Sequence, residues 1–158
     1  MLREKLISQY KGWLGNNTYA LTAVFNRNYV SAETGGEALR EFHKRIDCDR
    51  LGGRFYAKPI GQRSRLLVIS EKWDAHPHYH GYLALPEGAE IGVEEIKDRY
   101  EQIWRDVFPG GTMQIDALHD FDGWAGYVSK EAYIFDGAIA LDSLVDGSKG
   151  GWVLPKPR

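Results

Sequence analysis

The chain has 158 residues, the size of one compact domain, and 43% of them are hydrophobic, enough for a real core. Its 20 Lys and Arg stand against 22 Asp and Glu, a net charge of -2 with a pI near 6.2. That balance excludes a bulk nucleic-acid coat protein, which would be basic, but leaves room for a small local DNA site. The single cysteine, Cys48, excludes an intrachain disulfide and reads as structural. Residues 1–10 carry no long apolar run, and no stretch approaches the ~18 apolar residues of a membrane span. A cytoplasmic protein with no membrane partner is therefore expected.

The segment up to Leu14 reads as a short helix, and Gly15, Asn16 and Asn17 as a turn. Tyr19 to Phe25 is rich in β-formers and predicts a strand. Leu39, Phe42 and Ile46 recur at helical spacing, predicting a helix over roughly Thr34 to Asp47, with Gly35 and Gly36 at its start. Arg54 to Pro59 reads as a strand. Leu66 to Ser70 and His78 to Leu85 read as two more, joined as a hairpin. Val93, Ile96, Tyr100, Ile103, Trp104 and Val107 fall three and four apart, the stripe of an amphipathic helix. Thr112 to Leu118 alternates as a strand, and Phe121 to Tyr133 reads as a helix. Beyond Phe135 the chain is punctuated by Gly and Asp and reads as loose or edge structure. The pattern predicts an antiparallel-rich α+β domain. No phosphate-binding GxxxxGK[ST] loop occurs, so an ATPase motor is not expected.

The richest chemistry lies between Glu71 and Tyr82. His78 and His80 are two apart, so on a strand they share a face, with Tyr79 turned the other way. Two imidazoles placed so can share one cation of the Mn, Fe, Co, Ni or Zn class, and a carboxylate would harden the site toward Mg or Mn. Glu71, across the predicted hairpin, is the candidate carboxylate. Asp74 and His76, in the loop, compete with it.

The second segment is Gly123 to Glu131. On a helix, Tyr127 and Lys130 are neighbours. A lysine beside a phenol favours the phenolate, whose parent pKa is about 10, and can hold a phosphate oxygen. An activated tyrosine is a competent covalent nucleophile. A metal that polarises a phosphodiester and a tyrosine that attacks it together make a phosphoryl-transfer site.

Taken together, three segments resemble the motifs of the HUH endonuclease superfamily, specifically its single-tyrosine rolling-circle replication initiators. They are Ala20-Leu-Thr-Ala-Val-Phe-Asn26, Pro77-His-Tyr-His-Gly81 and Tyr127-Val-Ser-Lys130. The resemblance spans about residues 18 to 133. It implies a central five-stranded antiparallel sheet flanked by helices, with the histidines on a central strand and the tyrosine on a facing helix. It also implies Glu71 as third ligand, Mn²⁺ or Mg²⁺ as cofactor, and residues 1–135 as the nuclease domain, with residues 136–158 as an extension of it. The implied activity is sequence-specific nicking and joining of single-stranded DNA through a 5′-phosphotyrosyl intermediate, initiating replication of a plasmid or virus. The implied partners are single-stranded DNA or an origin hairpin, and a separate helicase.

Eight basic residues against three acidic ones lie between Arg40 and Arg65. Arg40, Lys44, Arg54, Lys58, Arg63 and Arg65 are the candidate DNA contacts, aided by exposed aromatics. Alternative readings are a transposase or relaxase with the same chemistry, a non-catalytic DNA-binding module, and a metal hydrolase that uses water as nucleophile.

Overall fold

The computed structural model describes residues 11–71, 75–89, 91–128 and 138–142; Glu71 and Tyr127 are described by their backbone positions. The elements are α1 (Lys11–Leu14), β1 (Thr18–Val24), α2 (Ala32–Leu51), β2 (Arg65–Glu71), β3 (His78–Ala84), α3 (Val93–Val107), β4 (Thr112–Ala117), α4 (Phe121–Val128) and β5 (Ala138–Asp142). The class is α+β. Four antiparallel strands in the order β4-β1-β3-β2 form the body of the sheet, and short β5 pairs along the outer edge of β2. Among the described residues no helix is long and apolar enough to cross a membrane.

Strand alternation sorts the side chains onto two faces. On one lie Tyr19, Leu21 and Ala23 of β1, Leu66 and Val68 of β2, Tyr79 and Leu83 of β3, and Met113 and Ile115 of β4. Helices α2 and α3 close over this face. From α2 come Leu39, Phe42 and Ile46; from α3 come Ile96, Tyr100 and Trp104, all fully buried. The Trp104 ring meets Phe25 at 5.3 Å and Phe42 at 5.8 Å, both edge-to-face. Its indole N–H donates to the Val24 carbonyl at 3.2 Å, so the largest core side chain leaves no buried donor unmet.

The opposite face carries Thr18, Ala20 and Thr22 of β1, Leu67 and Ile69 of β2, and His78, His80, Tyr82 and Ala84 of β3. A smaller cluster covers part of it: Leu14 from α1 and Phe121 and Ala125 from α4 pack on Leu67, Ile69, Tyr82 and Ala84. The remainder stays polar.

Helix α2 runs further in both directions than the Thr34–Asp47 periodicity predicts. The Ser31 side chain accepts the Thr34 N–H at 3.0 Å and starts the helix, so Gly35 and Gly36 lie inside it and are buried. Gly52, at φ 90°, ends it by donating to the Cys48 carbonyl at 2.8 Å. The strand expected over Arg54 to Pro59 is instead a 3₁₀ turn at Phe55–Ala57, followed by another at Ile60–Gln62. The cause is Arg63. Its guanidinium donates to the Tyr56 carbonyl at 2.6 Å and the Lys58 carbonyl at 2.8 Å, taking the acceptors a strand would give to a neighbour. The predicted helix to Tyr133 is described only to Val128. The remainder of that segment, the first ten residues and the C-terminal extension lie outside the described residues.

Candidate functional site

Strand register places the site. Thr22 of β1 pairs with His80 on one side and with Gln114 on the other, so Ile69, His80, Thr22 and Gln114 form one row across the polar face. The next row is Glu71, His78, Val24 and Thr112. The histidines thus stand on β3, in the middle of the sheet. The Glu71 position is the direct cross-strand partner of His78, the geometry in which same-face neighbours meet.

The two imidazoles lie 4.6 Å apart, centroid to centroid, and perpendicular. His78 is 8% exposed and His80 6%, so both sit below the surface yet on the polar side of the sheet. His78 Nδ1–H donates to the His76 carbonyl at 2.7 Å. A carbonyl can only accept, so this bond fixes the tautomer with the lone pair on Nε2. His80 Nδ1 lies 2.9 Å from Thr22 Oγ1. In the tautomer that donates Nδ1–H to that hydroxyl, His80 also carries its lone pair on Nε2. Outer partners on Nδ1 are what orient metal-ligating histidines. The donor chemistry of the pair therefore suits a divalent cation. Among the described residues no three His, Cys, Asp or Glu side chains converge on one centre. His76, an alternative third ligand, is exposed with its ring 5.7 Å from that of His78. Asp74 lies outside the described residues.

Helix α4 crosses this face along β3. Phe121 stacks on Tyr82 at 4.4 Å, and the Tyr82 hydroxyl donates to the Phe121 carbonyl at 3.1 Å. One turn on, the Trp124 indole N–H donates to the Gly81 carbonyl at 2.7 Å, and its ring meets His80 edge-to-face at 5.9 Å. Gly81 is also required by the pairing of β3 with β2. A Cβ there would overlap the Leu67 carbonyl oxygen and the Val68 Cα of β2. Position 127 follows Trp124 by three residues, in the last turn of α4. Lys130 lies outside the described residues.

The buried tyrosines are unsuited to attack. Burial pushes the phenols of Tyr79, Tyr82 and Tyr100 well above their ordinary value, and for Tyr82 the Asp122 and Asp120 carboxylates add to it.

Of the basic segment only Arg65 shares the histidine face, in register with Leu67 and Ile69. Arg40 and Lys44 stand on α2, which packs on the other side of the sheet, and Lys44 lies 3.8 Å from Glu41. Arg54 and Lys58 are exposed on the 3₁₀ turn. Arg65 is half-buried at the start of β2, paired with Ala84 and so at the far end of β3 from His78. Arg63 leaves the DNA-contact set, because its guanidinium is held in the backbone of that turn and the residue is 6% exposed.

Sequence reasoning missed a groove beside His80. It holds about 680 Å³ and is lined by Ala20, Thr22, Gln114, Asp116, His119 and Trp124 among others. The alternation of Thr112 to Leu118 already put Gln114 and Asp116 on one face; what it lacked was the β4-β1-β3 order that sets that face beside His80. Comparison with models of protein families, with curated proteins and with solved structures finds no match for this chain.

Proposed function

We propose that the chain is a metal-dependent enzyme that nicks and rejoins single-stranded DNA, with Tyr127 as nucleophile, on a five-stranded sheet of the HUH nuclease kind. One observation carries the reading: two imidazoles, each with a hydrogen-bond partner on Nδ1, share the sheet face that α4 crosses, and the helix advances along β3 in their direction. Phe121 is level with Tyr82 and Trp124 with His80. A further step of three residues rises about 4.5 Å and carries position 127 toward the level of His78.

Mn²⁺ or Mg²⁺ held by His78, His80 and Glu71 would offset the charge that develops on the scissile phosphate. The phenol oxygen of Tyr127 forms a bond to phosphorus as the bond from phosphorus to the 3′-oxygen breaks. The phenol's proton ends on that oxygen, so the products are a 3′-hydroxyl and a 5′-phosphotyrosyl chain. A second 3′-hydroxyl reverses the step and joins strands, since the ester retains the bond energy. Lys130 would hold a phosphate oxygen and stabilise the phenolate. In this setting the chain would initiate rolling-circle replication of a plasmid or virus, alongside a separate helicase. A second reading, a relaxase-like enzyme with a three-histidine centre, is favoured by the His76 ring beside His78.

The deciding experiment is a denaturing gel of labelled single-stranded DNA with Mn²⁺. A shifted protein band is expected, lost with Tyr127→Phe by at least about 10³-fold in rate. Cleavage without a covalent band would replace this reading with water-dependent hydrolysis. Binding without cleavage would leave a DNA-binding module. Full cleavage by Tyr127→Phe would refute the nucleophile.

A further inference from the structure

The groove is lined by His80 and Thr22 on one side and, beyond them, by residues that the cleavage chemistry does not use. Its floor is the polar sheet face, Ala20 and Thr22 of β1 with Gln114 and Asp116 of β4. Its walls are Leu118, His119 and Asp120 of the loop before α4, and Trp124. The volume, about 680 Å³, lies within the range of about 300–1,000 Å³ typical of small-ligand sites.

Three features narrow the occupant. The Trp124 indole is anchored by its N–H to the Gly81 carbonyl, so it offers the groove a fixed π-surface rather than a donor. Gln114 Nε2 donates to Asp116 Oδ2 at 2.8 Å, which engages the amide nitrogen and leaves the carbonyl oxygen as an acceptor. Lys97 reaches Asp116 Oδ1 at 3.5 Å from α3, partly balancing the carboxylate. Asp120 also lines the groove, adding a second carboxylate to its lining. A flat, neutral ring with amino donors on its edge would be held.

We infer that this groove takes the base neighbouring the cleaved phosphate and selects one with an exocyclic amine, cytosine above thymine. The inference rests on the single-stranded DNA reading and names what that site recognises. Trp124 stacks on the base. Asp116 accepts from the N4 amine, the donor that distinguishes cytosine from thymine, whose O4 would face a carboxylate. Asp116 and Gln114 are specificity residues here, not catalytic ones.

The test is fluorescence anisotropy of the full chain in EDTA, with labelled deoxycytidine and deoxythymidine homopolymers of equal length. Cytosine is expected to bind tighter by about five- to a hundredfold. Asp116→Asn should bring that ratio to near one, and Gln114→Leu should lower it; melting curves matching the parent check that the fold is intact. Deoxycytidine monophosphate alone should compete only at far higher concentration than the strand. Equal binding of the two homopolymers overturns the inference, as does a ratio untouched by Asp116→Asn. Free nucleotide binding as tightly as the strand also overturns it. The covalent-adduct gel is independent of this ratio. Discrimination without an adduct would sink the nuclease and keep the base pocket, whereas an adduct without discrimination would sink only the pocket.

Discussion

The two faces of the sheet are built from the same strands, residue by alternate residue, and they do different work. One is closed by two long helices whose Trp104 and Phe42 meet edge-to-face, Trp104 also meeting Phe25, with Tyr100 buried in the same core. The other carries a thin apolar patch around Tyr82 and, next to it, His78, His80 and Thr22. On the first face α2 and α3 bury their stripes in one continuous core. On the second, α4 is held by Phe121 and Ala125 and by two hydrogen bonds, from Tyr82 and from Trp124. Half of that face can therefore stay polar without costing the domain its core. On the proposed reading, stability and chemistry are separated by the β-pleat, at a distance of one residue in sequence.

The sharpest way to break this comparison is a reciprocal pair of variants. Trp104→Ala should cost about 3–5 kcal/mol, through the lost side chain and the cavity it leaves. Its folded fraction should still bind Mn²⁺. His78→Ala with His80→Ala should abolish Mn²⁺ binding and metal-dependent cleavage, yet lower the melting temperature by less than Trp104→Ala does. Calorimetry of both variants, with and without Mn²⁺, checks this. If the histidine variant proved the less stable of the two, the imidazole pair would be a structural element and the division of labour would fail.

That division was partly legible in the residues. The stripe from Val93 to Val107 fixes α3 because a period near 3.6 over four turns has no competing explanation, and His78 and His80 share a face because a strand repeats every two. The 3₁₀ turn at Phe55–Ala57 was not legible, because its cause is a guanidinium arriving from Arg63, outside any local propensity. Nor was the true start of α2, where the Ser31 cap outweighs the two glycines. The groove needed strand order: Gln114 and His80 are brought into one row only by their common partner Thr22. The same dependence governs the basic run between Arg40 and Arg65. Sequence proximity gathered those charges, while the fold set α2 on the far side of the sheet.

Thr22 offers a finer probe, since it touches the chemistry without being a ligand. Its hydroxyl meets His80 Nδ1 at 2.9 Å. Thr22→Val keeps the β-branched shape of the strand residue and deletes that partner. Mn²⁺ affinity is expected to fall about 10- to 100-fold, the usual consequence of losing an outer-shell bond to a histidine ligand. Stability should change little, and Thr22→Ser should restore most of the affinity. Titration calorimetry of the three proteins decides it. Unchanged affinity in Thr22→Val would mean that His80 is oriented by packing alone, chiefly by Trp124.

The smallest effect expected lies at Tyr82, where the apolar patch and α4 meet. Tyr82→Phe keeps the ring stack on Phe121 and removes one hydrogen bond, a loss of about 1 kcal/mol at neutral pH. The pH dependence carries a sign that can be worked out. Burial, reinforced by Asp122 and Asp120, raises the Tyr82 phenol above its ordinary value, so the folded protein keeps the proton longer than the unfolded chain does. The stabilisation is therefore complete below about pH 10, where the unfolded tyrosine titrates, and is lost as pH rises toward the folded value. Tyr79 and Tyr100, on the core face, add to the same alkaline loss. Urea denaturation between neutral pH and pH 11 should show stability falling above pH 10 in the parent and falling less steeply in Tyr82→Phe. An identical slope in the two would mean that the phenol ionises as freely in the fold as outside it. The patch beneath α4 would then be open to water, and the helix that carries position 127 would lack the firm seat that attack on a phosphate requires.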